Sequence, residues 1–180
     1  AYLRFWHGEA LDAGQVAELY AKRTSGPTLA ITPITNDNIR TAVSAWCSNS
    51  TTAAAMYGNI SSWDTSSVTD GFICLFSWWT GDGCPSTAAC SNSSTFDEDL
   101  SAWITSNATT MYATFYGASS FNSDVSAWDV SRVRDMEATF YEASAFNSDV
   151  SAWNTSSVTK MDFMFTRAMF FNSDVSSWDV

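Results

Sequence analysis

Basic residues are scarce in this sequence. Its 180 residues include 8 Lys and Arg against 19 Asp and Glu, which gives a formal net charge of −11. Nucleic acids and anionic membranes are recognised through clustered positive charge, and the basic residues here are scattered. No apolar run is long enough to span a bilayer. We therefore predict neither a nucleic-acid partner nor direct insertion into a membrane.

Groups that carry catalysis are also few. The single histidine, His7, lies outside the repeated part of the chain, so no Ser-His-Asp or Cys-His set can be assembled from repeated positions. No Gly-rich phosphate loop is present, and the four cysteines lack the spacing of a zinc site. Carboxylates recur with the repeat, which favours architecture over a glycosidase pair. We predict a protein that is not an enzyme and needs no cofactor or metal.

The sequence does contain a clear 25-residue repeat. FNSDVSAWDVSRVRDMEATFYEASA is followed by FNSDVSAWNTSSVTKMDFMFTRAMF and then by FNSDVSSWDV, which places Trp103, Trp128, Trp153 and Trp178 at equal intervals. Units of this length cannot bury their apolar faces alone, so self-similarity at this period indicates stacked coils.

The apolar positions of one repeat are Val133, Met136, Phe140 and Ala143. Their spacing of 3, 4 and 3 predicts a short helix that Ser131 caps. The segment from Asp124 to Trp128 predicts a short extended stretch. We therefore predict an α/β repeat solenoid of the leucine-rich-repeat type, with one short strand and one short helix per coil.

Two polar columns run through the repeats. One contains Asp99, Asp124, Asp149 and Asp174, and the other contains Asp97, Asn122, Asn147 and Asn172. We expect the aspartates to accept hydrogen bonds in Asx turns or caps and the asparagines to form a ladder on backbone groups. Calcium on the stacked aspartates is the alternative, although the Gly-rich turn of calcium-binding β-rolls is missing.

Three regions are predicted. Residues 1–33 form an N-terminal segment with one helix between Glu9 and Arg23. Residues 34–57 contain a capping helix, Thr35 to Cys47, with a cap at Thr35 or Asn36. Residues 58–180 form the repeats, with an insertion at about 76–95. The last repeat stops at Val180 before its expected helix, so we expect this uncapped coil to contact protein partners or a second copy of the chain.

Cysteines and glycosylation sequons predict the compartment. Cys47, Cys74, Cys84 and Cys90 are even in number and clustered, which indicates disulfides. Three pairings are possible, and we favour Cys84–Cys90 with Cys47–Cys74. Sequons begin at Asn49, Asn59, Asn92, Asn107 and Asn154. Together these features predict an extracellular or cell-surface glycoprotein that passes through the secretory pathway.

The motif FNSDVSAWDVSRVRDMEATFYEAS resembles the repeats of the BspA-like leucine-rich-repeat surface proteins. The segment ITNDNIRTAVSAWCSN also resembles the leader that precedes such repeats, so the similarity extends over about residues 34–180. It implies a secreted or surface-exposed protein with a role in adhesion or recognition, and it supplies no catalytic residues. The chain departs from the pattern at Gly71, Ile104 and Ala108 and in the insertion, so we expect less regular early coils.

Four aromatic residues are the best candidates for a contact surface. Tyr116 and Tyr141 share one column, and Trp78 and Trp79 begin the insertion, where the repeat breaks. We predict a recognition or adhesion module that acts through protein–protein contacts. The alternatives are a structural subunit of a larger assembly or filament, and a repeat face that binds polysaccharide or ice, so a glycan partner stays open.

Overall fold

The computed structural model describes residues 31–179. The helix predicted between Glu9 and Arg23 lies outside the described residues. The other sequence predictions can be compared with the structure directly.

Within the described residues, two helices precede the repeats, α1 (Ile39–Ser48) and α2 (Ser50–Tyr57). Helix α1 buries Ile39, Val43 and Trp46, and the Trp46 ring meets the Trp63 ring edge-on at 6.0 Å, so this helix covers the core of the first coil. The helix begins after Asn38 and not after Thr35 or Asn36.

The start of α1 is delayed by a turn. The Asn38 side chain accepts from the Thr35 N–H and donates to the Pro33 carbonyl, which holds the preceding turn together. At the start of α2, Asn49 caps the helix by accepting from the Thr52 N–H.

The repeats are coils built from consecutive turns and stacked in register. The N–H of Ala138 donates to the Asp162 carbonyl and that of Phe140 to the Met164 carbonyl, in the next coil. Between these bonds, the N–H of Thr139 closes a turn on the Met136 carbonyl. Alternate backbone groups are therefore satisfied by the neighbouring coil and by turns within the same coil.

The predicted α/β repeat solenoid is wrong. Within residues 100–179 the coils contain no helix and no sheet, and isolated parallel bridges join Thr110 to Asp135 and Asp135 to Lys160. A left-handed residue interrupts each predicted helix, with φ of 50° at Ala113 and 55° at Ala138. A continuous right-handed helix cannot pass through this conformation. The stretch from Asp124 to Trp128 likewise forms a turn and not a strand.

The apolar columns nevertheless face inward. Phe115, Phe140 and Phe165 stack along the coils with ring centroids 5.5 and 5.7 Å apart, and Val133, Met136 and Ala143 are buried beside them. The indole N–H of Trp128 donates to the Leu100 carbonyl one coil earlier, a bond that recurs with the repeat. A large-to-small change at such a buried aromatic position costs about 3–5 kcal/mol.

The polar columns hold the coil corners. The Asn122 side-chain oxygen accepts from the Asn147 N–H, and the Asn147 oxygen accepts from the Asn172 N–H. In the aspartate column, Asp124 accepts from the Ser126 N–H and Asp149 from the Ser151 N–H. The structure thus shows the asparagine ladder and the Asx turns that the repeat predicts.

A one-residue shift accommodates the irregular first coil. Thr114 Oγ1 donates to the Phe72 carbonyl, whereas in the next coil Thr139 Oγ1 donates to the Met111 carbonyl. Phe72 therefore occupies the methionine position that the sequence alignment assigns to Gly71. At Gly71 an added Cβ would lie 2.7 Å from the Ile39 side chain, so glycine permits the close approach of α1.

Candidate binding cleft

A second, smaller apolar cluster lies outside the main core. Cys74, Ala113 and Ala138 form its buried part, and all three have left-handed φ, at 49°, 50° and 55°. They occupy equivalent positions in successive coils, since the N–H of Cys74 donates to the Tyr112 carbonyl and that of Ala113 to the Glu137 carbonyl. Two alanines therefore supply a shallow floor that runs along the coils.

Aromatic rings rise beside this floor. The Trp79 ring stacks on Tyr116 with centroids 5.3 Å apart, and Tyr116 stacks on Tyr141 at 4.5 Å. Trp78 meets the edge of Tyr116 at 5.6 Å, and 49% of its surface is exposed. The Tyr112 ring lies 6.3 Å from the Trp79 ring, and its hydroxyl donates to the Asp82 carbonyl of the insertion.

Four of these rings, those of Trp79, Tyr112, Tyr116 and Tyr141, line a cleft of about 350 Å³. Glu137 and Ala138 belong to the same lining. In the next coil the row of alanines ends at Phe163, whose ring is 64% exposed and also lines the cleft. The result is an open aromatic groove with one carboxylate in its lining.

The surroundings of the groove are electronegative. Burial is the main cause that raises the pKa of the Tyr112 hydroxyl, and the charges of Glu137, Asp135 and Asp82 raise it further. Burial likewise raises the pKa of Tyr116, with added contributions from Tyr141 and Glu142.

Ion pairing leaves one acid of the groove uncompensated. Asp135 pairs with Lys160, and Glu142 pairs with Arg167. Among residues 31–179 the Glu137 carboxylate has no ion-pair partner. Negative charge in the lining is therefore concentrated at Glu137.

The four predicted contact residues come together here. Trp78, Trp79, Tyr116 and Tyr141 form one continuous group of rings. The sequence analysis missed Tyr112, Glu137 and Phe163. A usable signal existed at Glu137, which occupies the register position of Tyr112 one repeat later, beside a small residue in each coil.

One known protein family matches the repeated part of the chain. The family described as "Mycoplasma protein of unknown function, DUF285" matches residues 86–180, more than half of the sequence. The chain belongs to the DUF285 family. No curated protein and no solved structure matches it. The tyrosine side of the cleft lies inside the DUF285 match, whereas Trp78 and Trp79 precede it.

One disulfide ties the insertion to α1 and the other ties it to the first coil. The favoured pairing was wrong, because Cys47 bonds Cys90 and Cys74 bonds Cys84. Cys74–Cys84 closes the segment that carries Trp78 and Trp79 and returns it to the floor of the cleft. Two disulfides are consistent with an oxidising, extracellular environment. In the described part of the chain, no helix is long and apolar enough to cross a membrane.

The sequon asparagines differ in their structural roles. Asn59 and Asn154 accept local turn hydrogen bonds from Ser61 and Ser156. Asn107 bridges coils, since its amide donates to the Ser66 carbonyl and its oxygen accepts from Arg132. Asn49 caps α2 and Asn92 is exposed.

Aspartates of the acidic column accept hydrogen bonds from serines of their own coils. Between positions 31 and 179 no group of three or more His, Cys, Asp or Glu is placed to hold a metal ion. Hydrogen bonds from Ser126 hold the pKa of Asp124 below its ordinary value, and Ser151 does the same for Asp149. Turn donors thus stabilise these charges locally.

Proposed function

We propose that this chain is a non-enzymatic recognition module that acts outside the cell or at its surface, through protein–protein contacts made by the aromatic cleft. The observation that carries the proposal is the convergence of Trp78, Trp79, Tyr112, Tyr116 and Tyr141 where the insertion meets the regular coils. Tyrosine and tryptophan are enriched at protein interfaces because they combine large apolar area with a polar group.

Two further features support this proposal. The two disulfides fit an oxidising compartment, and the resemblance of the repeats to BspA-like surface proteins implies adhesion or recognition. Elsewhere the regular coils use their side chains to hold one another, as in the asparagine ladder. The cleft is the place where partly exposed rings line a depression.

A peptide-display library tests the proposal. The library is panned against the full chain with its disulfides intact and is counter-selected against the double variant Tyr116→Thr/Tyr141→Thr. Threonine is a conservative choice because Thr166 already occupies this column in the next coil. Both proteins are first shown to have the same near-UV circular dichroism.

We expect peptides that bind the unmodified chain and lose binding to the double variant. Ile104→Thr is the matched control, because it removes an exposed apolar side chain outside the cleft, and the same peptides should bind it normally. Peptides that bind all three proteins equally, or no enrichment at all, would count against the cleft as a recognition surface.

A further inference from the structure

The cleft combines ring surface with a single unpaired acid. Glu137, Ala138 and Tyr141 line the same cleft, and Tyr112 occupies the position of Glu137 one coil earlier. The nearby cations, Lys160 and Arg167, are engaged by Asp135 and Glu142. A ligand that enters the cleft therefore meets a carboxylate that no cation of the described residues neutralises.

Rings and a carboxylate around one depression are suited to a cation. The negative face of an aromatic ring attracts ammonium and guanidinium groups, and the attraction grows when water is partly excluded. The acidic groups that raise the pKa of Tyr112 act on the same space and favour positive charge there. The net charge of −11 adds a long-range attraction for basic partners.

We propose that the cleft receives a lysine or arginine side chain from a basic segment of a partner protein, with the cationic group against the rings of Tyr112 and Tyr141 and paired with Glu137. This inference rests on the proposed function, since it names the chemistry of the partner at the same surface. The apolar stem of such a side chain would lie along the floor at Ala138.

The arrangement of the rings favours this occupant over a sugar. Sugars stack on broad, open ring faces, whereas both faces of Tyr116 are covered, one by Trp79 and one by Tyr141. Besides the tyrosine hydroxyls, the polar lining consists of one carboxylate and Thr166, and the Tyr112 hydroxyl is already bonded to the Asp82 carbonyl. A linear side chain needs only a narrow groove and one counter-charge.

Calorimetric titration of the full, disulfide-bonded chain tests the inference. The probe is a ten-residue peptide of alternating lysine and serine, and its partner probe has every lysine Nε-acetylated. Work at about 0.15 M salt limits long-range attraction to the acidic chain, because the screening length is then about 8 Å. Cellohexaose is titrated in parallel as the neutral sugar.

We expect the lysine peptide to bind and the acetylated peptide not to bind. Glu137→Gln should weaken the lysine peptide about fivefold, from the loss of a partly exposed ion pair. Tyr141→Thr should weaken it about fivefold to tenfold. Glu98→Gln makes the same change in net charge outside the cleft and should leave binding unchanged.

Four results would overturn the inference. Equal weakening by Glu137→Gln and Glu98→Gln would mean diffuse attraction to an acidic protein. Equal binding of the acetylated peptide would remove the need for charge. Binding of cellohexaose without the lysine peptide would assign the cleft to neutral sugars. The peptides selected by display could also lack basic residues and still require Tyr116 and Tyr141 for binding. That result would exclude the cation while supporting the recognition function. Failure of this inference can therefore be distinguished from failure of the proposed function.

Discussion

The backbone N–H of Asn147 donates to the side-chain oxygen of Asn122, one repeat earlier, at 2.8 Å. Asn122 is held in the same way by Asp97, whose carboxylate oxygen accepts from the Asn122 N–H. Each coil thus offers the next one a side-chain acceptor at the same corner. The ladder links neighbours only, so its loss at one position should act locally.

Asn122→Ala should destabilise the chain by about 0.5–1.5 kcal/mol, because one hydrogen bond between coils is lost at an exposed corner. Asn122→Asp should cost less, since Asp97 shows that a carboxylate can accept from the next coil. Urea unfolding followed by circular dichroism measures both. Equal losses in the two variants would show that the acceptor oxygen is not what matters.

The two disulfides should contribute unequally to stability. Cys47–Cys90 spans 43 residues and Cys74–Cys84 spans 10. On the chain-entropy estimate these loops correspond to about 4 and about 2.7 kcal/mol. Replacing Cys47 and Cys90 by serine should therefore lower the urea midpoint more than replacing Cys74 and Cys84.

The shorter disulfide should matter more for the cleft. Cys74 belongs to the same buried cluster as Ala113 and Ala138, and the loop that Cys74–Cys84 closes carries Trp79. The variant with serine at positions 74 and 84 should no longer bind the peptides selected on the cleft. The variant with serine at positions 47 and 90 should still bind them. A non-reducing peptide map that gives another pairing would contradict both expectations.

Periodicity predicted the core because burial depends on which side chains recur. Met136 and Phe140 are buried whether the backbone between them is a helix or a series of turns. The backbone itself was not predictable from the same pattern. Ala138 gives no local indication of its left-handed φ, because alanine rarely adopts this conformation. At the position of Gly117 the glycine does indicate a left-handed φ, but the equivalent residue one repeat later is Glu142, which adopts the same conformation without such an indication.

The site was predictable in part for a related reason. The rings of Tyr116 and Tyr141 share a column, so the repeat alone brings them together. Tyr112 depends on the insertion for its contacts, because its hydroxyl donates to the Asp82 carbonyl there. The Cys74–Cys84 bond fixes the position of that loop. The pairing of cysteines cannot be deduced from spacing, and the place of the loop depended on it.

Gly117→Ala should displace Trp78. A Cβ at Gly117 would lie 1.8 Å from Nε1 of the indole. The left-handed φ of 72° also disfavours a side chain, although Glu142 and Arg167 carry side chains at the equivalent positions with φ of 56° and 61°. We expect a loss of about 1–3 kcal/mol from overpacking.

A double-mutant cycle separates the two causes. In a Trp78→Ala background the same glycine substitution should cost much less, because the indole is gone. Urea unfolding of the four proteins gives the coupling energy. Strict additivity would show that the backbone conformation, and not the Trp78 contact, limits this position.

The Asx turns should make the protein sensitive to acid. Hydrogen bonds from the Ser126 hydroxyl and N–H hold the pKa of Asp124 below its ordinary value, and those from the Ser151 N–H and hydroxyl do so for Asp149. Because the folded pKa lies below the unfolded value of about 3.9, this stabilisation is complete above that pH and is lost as the pH falls through the folded pKa. The urea concentration at the midpoint of unfolding should therefore decrease as the pH is lowered below about 4.

Asn substitution isolates this effect, because Asn154 forms the same turn with Ser156 and does not titrate. The double variant Asp124→Asn/Asp149→Asn should keep most of its stability at pH 7 and show a shallower loss between about pH 4 and pH 2. The double variant Glu98→Gln/Glu137→Gln removes two acids outside these turns and controls for net charge. The double variant could instead lose stability with falling pH as steeply as the unmodified chain does. That result would mean that other carboxylates govern acid unfolding. It would also mean that the turns accept their hydrogen bonds equally well in either protonation state.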